Sequence, residues 1–178
     1  MKKSRGYTLI ELMVAVGLFA LIMTLVSGAY LLMISLTRQA QGMATGIDNL
    51  SFALETMTRT IRTGAYYNNS VDCLSGCTSF SVIDSNNNTV TYALNPNNSI
   101  IQTIVSASGV AFQNNVPLTD PSVSVSSLIF YVSGTNKPPG DYNQPHVTIT
   151  ISGTVSYGPN RTQPFTVETG ATMRGIDI

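Results

Sequence analysis

At 178 residues and 19.0 kDa, the chain has room for one modest domain with an appendage. Nine Lys/Arg balance nine Asp/Glu and charged residues are only 10% of the chain, which excludes nucleic-acid binding through a basic face. A 43% apolar content excludes charge-driven disorder, and one His and two Cys leave little material for a metal, cofactor or nucleophile site. The composition does not point to an enzyme, and no catalytic residue is assigned.

Residues 12–37 contain no charged side chain, and Leu12 to Met33 is predominantly apolar, softened by Gly17, Thr24, Ser27 and Gly28. About 20 such residues at ~1.5 Å rise span a hydrocarbon core. Lys2, Lys3 and Arg5 precede the run and Arg38 alone follows it. The positive-inside bias therefore predicts a single-pass membrane protein with a cytoplasmic N-terminus and an extracytoplasmic remainder. Val26-Ser27-Gly28 offers small residues for the alternative, a cleaved secretory signal, but the run is long and carries a carboxylate, Glu11, at its start.

Gly6-Tyr7-Thr8-Leu9-Ile10-Glu11-Leu12-Met13-Val14-Ala15, behind a short basic leader and ahead of an uninterrupted apolar helix, resembles the processing signal of type IV prepilins and type II secretion pseudopilins. The resemblance implies that a prepilin peptidase cuts after Gly6, releasing a leader of residues 1–6, and that the new N-terminal residue, Tyr7, is N-methylated. Tyr7 stands where the family more often has Phe, and the aromatic ring is kept. It further implies assembly with other pilin or pseudopilin subunits on an inner-membrane assembly platform, from a starting position in the lipid bilayer.

Glu11 has a physical reading of its own. A carboxylate at the edge of hydrocarbon costs a few kcal/mol unless paired. Cleavage would place a cationic amine at Tyr7, four residues before it; self-pairing along one helix face and pairing with a neighbouring subunit's amine are both open. The resemblance implies the second, which sets the register of a helical stack. The third reading is a carboxylate that snorkels to the interface.

The apolar segment, residues 7–37, is expected to continue as an amphipathic helix over residues 38–64. Met43, Ile47, Leu50, Leu54, Met57 and Ile61 recur at spacings of 4, 3, 4, 3 and 4, a one-sided stripe, while Arg38, Asp48, Glu55, Arg59 and Arg62 fall largely off it. A sheet-packed helix is preferred to a coiled coil because the stripe lasts under three heptads. Gly64 with Asn68-Asn69-Ser70 supplies the stop. Gly28, Gly42 and Gly46 read as places of close helix approach in lipid. Major pilins usually carry a helix-breaking Pro late in the membrane segment; its absence here points to a minor subunit.

Residues 65–178 read as a β-rich head. Strands are expected at Phe80–Ile83, Val90–Leu94, Ile100–Val105 and Leu128–Val132, the last buried on both faces and led in by Val123-Ser124-Val125. Val147, Ile149, Ile151, Gly153, Val155 and Tyr157 alternate with Thr and Ser, one long half-buried strand with a bulge at Gly153. Gly158-Pro159-Asn160-Arg161 turns the chain into a return strand at Phe165–Val167. Hairpin turns without helical period between strands predict an α+β fold: a long N-terminal helix packed on one mostly antiparallel sheet. The sheet chemistry is similar to that of minor pilins and pseudopilins of the larger J-type class.

Cys73 and Cys77 form a C-x3-C that, with His146 distant, does not make a four-ligand zinc site. In an oxidising compartment a small disulfide loop is expected, with free thiols the alternative. Asp84-x-Asn86-x-Asn88 opens like a calcium loop, but Thr89 and Asn95 occupy positions six and twelve where Gly and Glu are needed, so a polar turn is expected. His146 reads as an edge residue, and the sequons at Asn68, Asn87, Asn97 and Asn160 mark exposed turns. Together these readings favour a structural subunit of a type IV pilus, type II secretion or DNA-uptake filament. The alternative is a membrane-anchored binding or sensor module that does not polymerise.

Overall fold

A computed structural model of the chain describes residues 6–136, 142–158 and 161–174. One helix, α1 (Leu9–Thr63), contributes to two compact units, residues 1–40 and 41–178.

In the first unit no side chain from Tyr7 to Met33 is buried; Leu12 is 61% exposed, Phe19 60% and Leu25 67%. The polar side chains of this stretch turn inward on the helix itself. Thr24, Ser27 and Ser35 donate to the carbonyls of Leu21, Met23 and Leu32 at 2.7–2.8 Å, so their hydroxyl protons need no water. An 18-residue window of α1 reaches a mean hydropathy of 2.6, long and apolar enough to cross a membrane.

In the second unit α1 buries Gly46, Leu50, Ala53, Met57 and Ile61. This differs from the apolar stripe read in the sequence: Ile47 is 55% exposed and Met43 and Leu54 are only half-buried. Small residues take their place because backbone and sheet approach closely. A Cβ at Gly46 would collide with Val155 Cγ1, and one at Gly42 with Tyr157 Cβ. Both glycines are thus helix-on-sheet contacts in the head rather than helix-on-helix contacts in lipid. Past Thr63, the buried Tyr67 hydroxyl donates to the Ile61 carbonyl, capping one of the orphan acceptors of the last turn.

Eight strands follow: β1 (Cys73–Cys77), β2 (Ser79–Ile83), β3 (Thr89–Leu94), β4 (Ile100–Val105), β5 (Ala111–Pro117), β6 (Val123–Ser133), β7 (His146–Gly158) and β8 (Arg161–Thr172). They form two four-stranded antiparallel sheets, β2-β3-β4-β5 and β1-β6-β7-β8, where a single sheet was expected. The meander ends at β5, and the chain then crosses to pair β6 with β1 and β7. Hydrogen bonds from Leu118 N to Ile100 O (2.7 Å) and Val125 N to Asn98 O (2.8 Å) stitch this crossing. Strands β1 and β5 escaped the sequence reading because neither alternates; every residue of β5 is exposed.

The core lies where both sheets meet α1. Phe80 of β2 stacks on Phe130 of β6 at 5.5 Å, and Tyr67 meets Phe80 edge-on at 5.5 Å. Strand β7 alternates as expected, with Val147, Ile149, Ile151 and Val155 buried. The segment Leu128–Val132 is one-sided instead of buried on both faces, since Tyr131 is 39% exposed and Ile129 half-buried. The bulge assigned to Gly153 belongs to β6: Val125 opposes Gly153 and Ser127 opposes Ser152, which leaves Ser126 as the extra residue. Gly153 faces that kink, where a Cβ would strike Ser124 O. The return strand Phe165–Val167 sits inside the longer β8; Pro159 and Asn160 of the turn before it lie outside the described residues.

These contacts have measurable consequences. Gly46→Leu should destabilise the head by about 1–3 kcal/mol in urea unfolding of the full chain in neutral detergent, whereas Thr45→Ala, an exposed neighbour, should change little. Burial raises the phenols of Tyr67 and Tyr92 above the usual 10.0, with hydrogen bonds from Thr60 and Gln102 opposing the rise at Tyr92. Both hold their proton more tightly when folded, so their contribution is intact below pH ~10 and lost as pH climbs toward the folded values. Thermal scans should show alkaline destabilisation from about pH 10, reduced in Tyr67→Phe. Replacing both cysteines of the disulfide described below by Ser should cost about 2 kcal/mol by loop entropy, read from the same urea curves.

Candidate functional site

The segment that the sequence singles out begins at Gly6, outside α1. A Cβ at Gly6 would meet nothing within 4 Å, so no packing within the chain requires glycine there. Tyr7 is 85% exposed and also precedes the helix. Thr8 is the residue that starts it: its carbonyl accepts Leu12 N at 3.2 Å and its Oγ1 accepts Glu11 N at 3.4 Å. Thr8-Leu9-Ile10-Glu11 thereby has the S/T-x-x-E spacing of a helix N-cap, a signal present in the sequence and overlooked. Lys2, Lys3 and Arg5 of the leader lie outside the described residues.

This start constrains Glu11. It stands in the first turn, where the positive end of the helix dipole favours a carboxylate by ~0.3–1 kcal/mol. Among the described residues it makes no ion pair. Tyr7 itself precedes the helix, and Glu11 is exposed on its first turn.

Cys73 and Cys77 are joined as a disulfide with Cα atoms 6.1 Å apart. Cys73 opposes Val132 and Cys77 opposes Phe130, so four residues of β1 span the width of two on β6. The ring is a stapled bulge, and Gly76, at φ +92, makes the left-handed step with Ile129 Cγ2 directly behind it. Asp72 Oδ1, next to the ring, accepts Thr135 N at 2.9 Å and Thr135 Oγ1 at 2.7 Å, tying β1 to the end of β6.

The remaining candidates stay apart. Asp84 Oδ1 accepts both Asn86 N and Asn88 N at 2.8 Å, closing a polar hairpin turn with Asn87 at φ +62. His146 places Nδ1 3.0 Å from Thr172 Oγ1 and Nε2 3.2 Å from Thr148 Oγ1, so both ring nitrogens are engaged on the sheet. Asn87 and Asn97 are exposed at turns, Asn68 is half-buried in the short helix Tyr67–Ser70, and Asn160 lies outside the described residues. Among the described residues no three His, Cys, Asp or Glu side chains converge.

Compared with known families, residues 1–27 match the prokaryotic N-terminal methylation motif. No curated protein and no solved structure matches the chain. The motif implies processing by a prepilin peptidase and assembly with other pilins. It covers the leader, Thr8, Glu11 and the apolar stretch as far as Ser27, and the β-rich head lies outside the match. Residues 1–27 therefore carry a prepilin-type methylation motif at the head of an apolar helix, which supports a pilin-type structural subunit and fits a membrane anchor.

Proposed function

We propose that the chain is a minor pilin or pseudopilin, cut after Gly6, methylated on Tyr7, and polymerised through α1 into a type IV pilus, type II secretion or DNA-uptake filament. The observation that carries this is the apolar stretch from Tyr7 to Met33: it has no buried side chain and begins with a carboxylate that has no ion-pair partner among the described residues, at a capped helix start. Within lipid the hydrophobic effect does not favour helix–helix contact, so packing and pairing must drive assembly. Gly17 and Gly28 have nothing within 4 Å, unlike Gly42 and Gly46, and offer neighbouring helices close approach. Glu11 pairs with the Tyr7 amine of an adjacent subunit, which relieves the cost of a carboxylate at the edge of hydrocarbon and sets register.

Orientation follows from charge. Lys2, Lys3 and Arg5 keep the N-terminus cytoplasmic, and the Cys73–Cys77 disulfide suits an oxidising extracytoplasmic space. The head supplies the surface and the specificity of the subunit. The absence of Pro from residues 12–37 favours a minor over a bulk subunit.

Intact-mass analysis of the chain from sheared surface fibres should show loss of residues 1–6 and gain of one methyl group. Glu11→Gln should lower incorporation about tenfold, equivalent to ~1.4 kcal/mol, with membrane insertion unchanged. Thr8→Ala, which weakens the cap by ~1 kcal/mol and keeps the carboxylate, should have the smaller effect. Unchanged incorporation of Glu11→Gln, or a retained leader in the working molecule, would overturn the proposal in favour of an anchored binding module.

A further inference from the structure

Six of the nine basic residues lie beyond Gly6, and three of them, Arg59, Arg62 and Arg174, line one cleft of about 260 Å³. The backbone builds this convergence. Arg59 and Arg62 are three apart on the last turns of α1 and so share a face. Arg174 arrives from the far end of β8, and its N–H donates to the Arg62 carbonyl at 2.9 Å, which pins the strand exit against the helix end.

The opposing charge is small. Among the described residues Glu55 is the one carboxylate lining the cleft, 3.6 Å from Arg59, and with side chains 72% and 79% exposed the pair is weak. Among the described lining residues, three guanidiniums less one carboxylate leave a formal charge of +2. The negative end of the helix dipole accounts for Arg62 in the last turn but not for Arg174, which belongs to another element. Thr58 and Thr63, also on the wall, commit their hydroxyl protons to the Leu54 and Arg59 carbonyls at 2.9 and 3.1 Å, so the free donors facing the cleft are guanidinium N–H groups.

We propose that this cleft binds a phosphate group. Guanidinium forks match two oxygens of a tetrahedral oxyanion at once, and three of them from two elements enclose it more specifically than a single surface cation does. A water's share of liquid is ~30 Å³, so the cleft admits a phosphate with part of its hydration shell. The phosphate comes either free in solution or on a lipid headgroup. The site makes no use of Glu11 or the leader and stands or falls apart from the filament reading.

The test follows the arginine Nε–H resonances of the full chain in neutral maltoside micelles during titration with inorganic phosphate and pyrophosphate, against chloride at matched ionic strength. Saturable shifts confined to Arg59, Arg62 and Arg174, with Arg38 and Arg161 unmoved, are expected, and Arg62→Gln or Arg174→Gln should weaken binding at least fivefold. Nanodiscs of phosphatidylglycerol against phosphatidylcholine separate the sources: the same shifts in the first alone assign a lipid headgroup. Shifts that match chloride in every arginine, with no response to phosphatidylglycerol, overturn the proposal.

Discussion

Residues 7–33 are exposed throughout, with no buried side chain among the described residues. A fully exposed Leu, Ile, Phe or Met forgoes ~1.5–3 kcal/mol of burial, and more than a dozen of them occur in succession here. No folding of the head compensates that cost, so the stretch is stable only where lipid or other helices surround it. The filament reading descends from this condition. The inward-turned hydroxyls of Thr24, Ser27 and Ser35 belong to the same adaptation, since a polar group that bonds its own helix tolerates an apolar medium.

Beyond Ala40 the same helix obeys a different rule. There it is an ordinary core element, seated on β7 through Gly42 and Gly46 and anchored by Leu50, Met57 and Ile61. Four glycines thus divide by environment. Gly42 and Gly46 serve contacts that already exist, while Gly17 and Gly28 leave open positions that only a neighbour fills. The helix ends with equal definition: Tyr67 caps Ile61, and the aromatic chain Tyr67–Phe80–Phe130 carries that contact through both sheets.

Much of this was legible in the amino-acid sequence, and the reasons for success and failure are physical. The uncharged run from Leu12 to Thr37 and the strict alternation of β7 are long, periodic signals tied to burial, and both elements formed. The apolar stripe of the sequence runs through Met43 and Ile47, yet close approach selects the absence of a side chain, and Gly46 and Ala53 make the contact. Strand β5 carries no inward face, and β1 is shaped by a covalent ring, so neither leaves a period to read. The division into two sheets depends on where β6 pairs, a choice made by tertiary contacts far apart in sequence. At the N-terminus the family signal masked a simpler one: Thr8 and Glu11 are also a helix start, visible from spacing alone.

The stapled bulge in β1 has a consequence for a molecule meant to stand beside many copies of itself. Outer strands with open backbone groups invite strands from adjacent molecules, and crowded heads would fuse sheet to sheet. Here β1 is kinked by its disulfide ring, β5 is broken in register and ends on Pro117, and β8 carries Pro164, which has no N–H to donate. On the remaining border, β2 is partly covered by the bridge between Ala65 and Ile83. Such blunted margins let closely spaced heads remain separate bodies, leaving cohesion to the greasy rods alone.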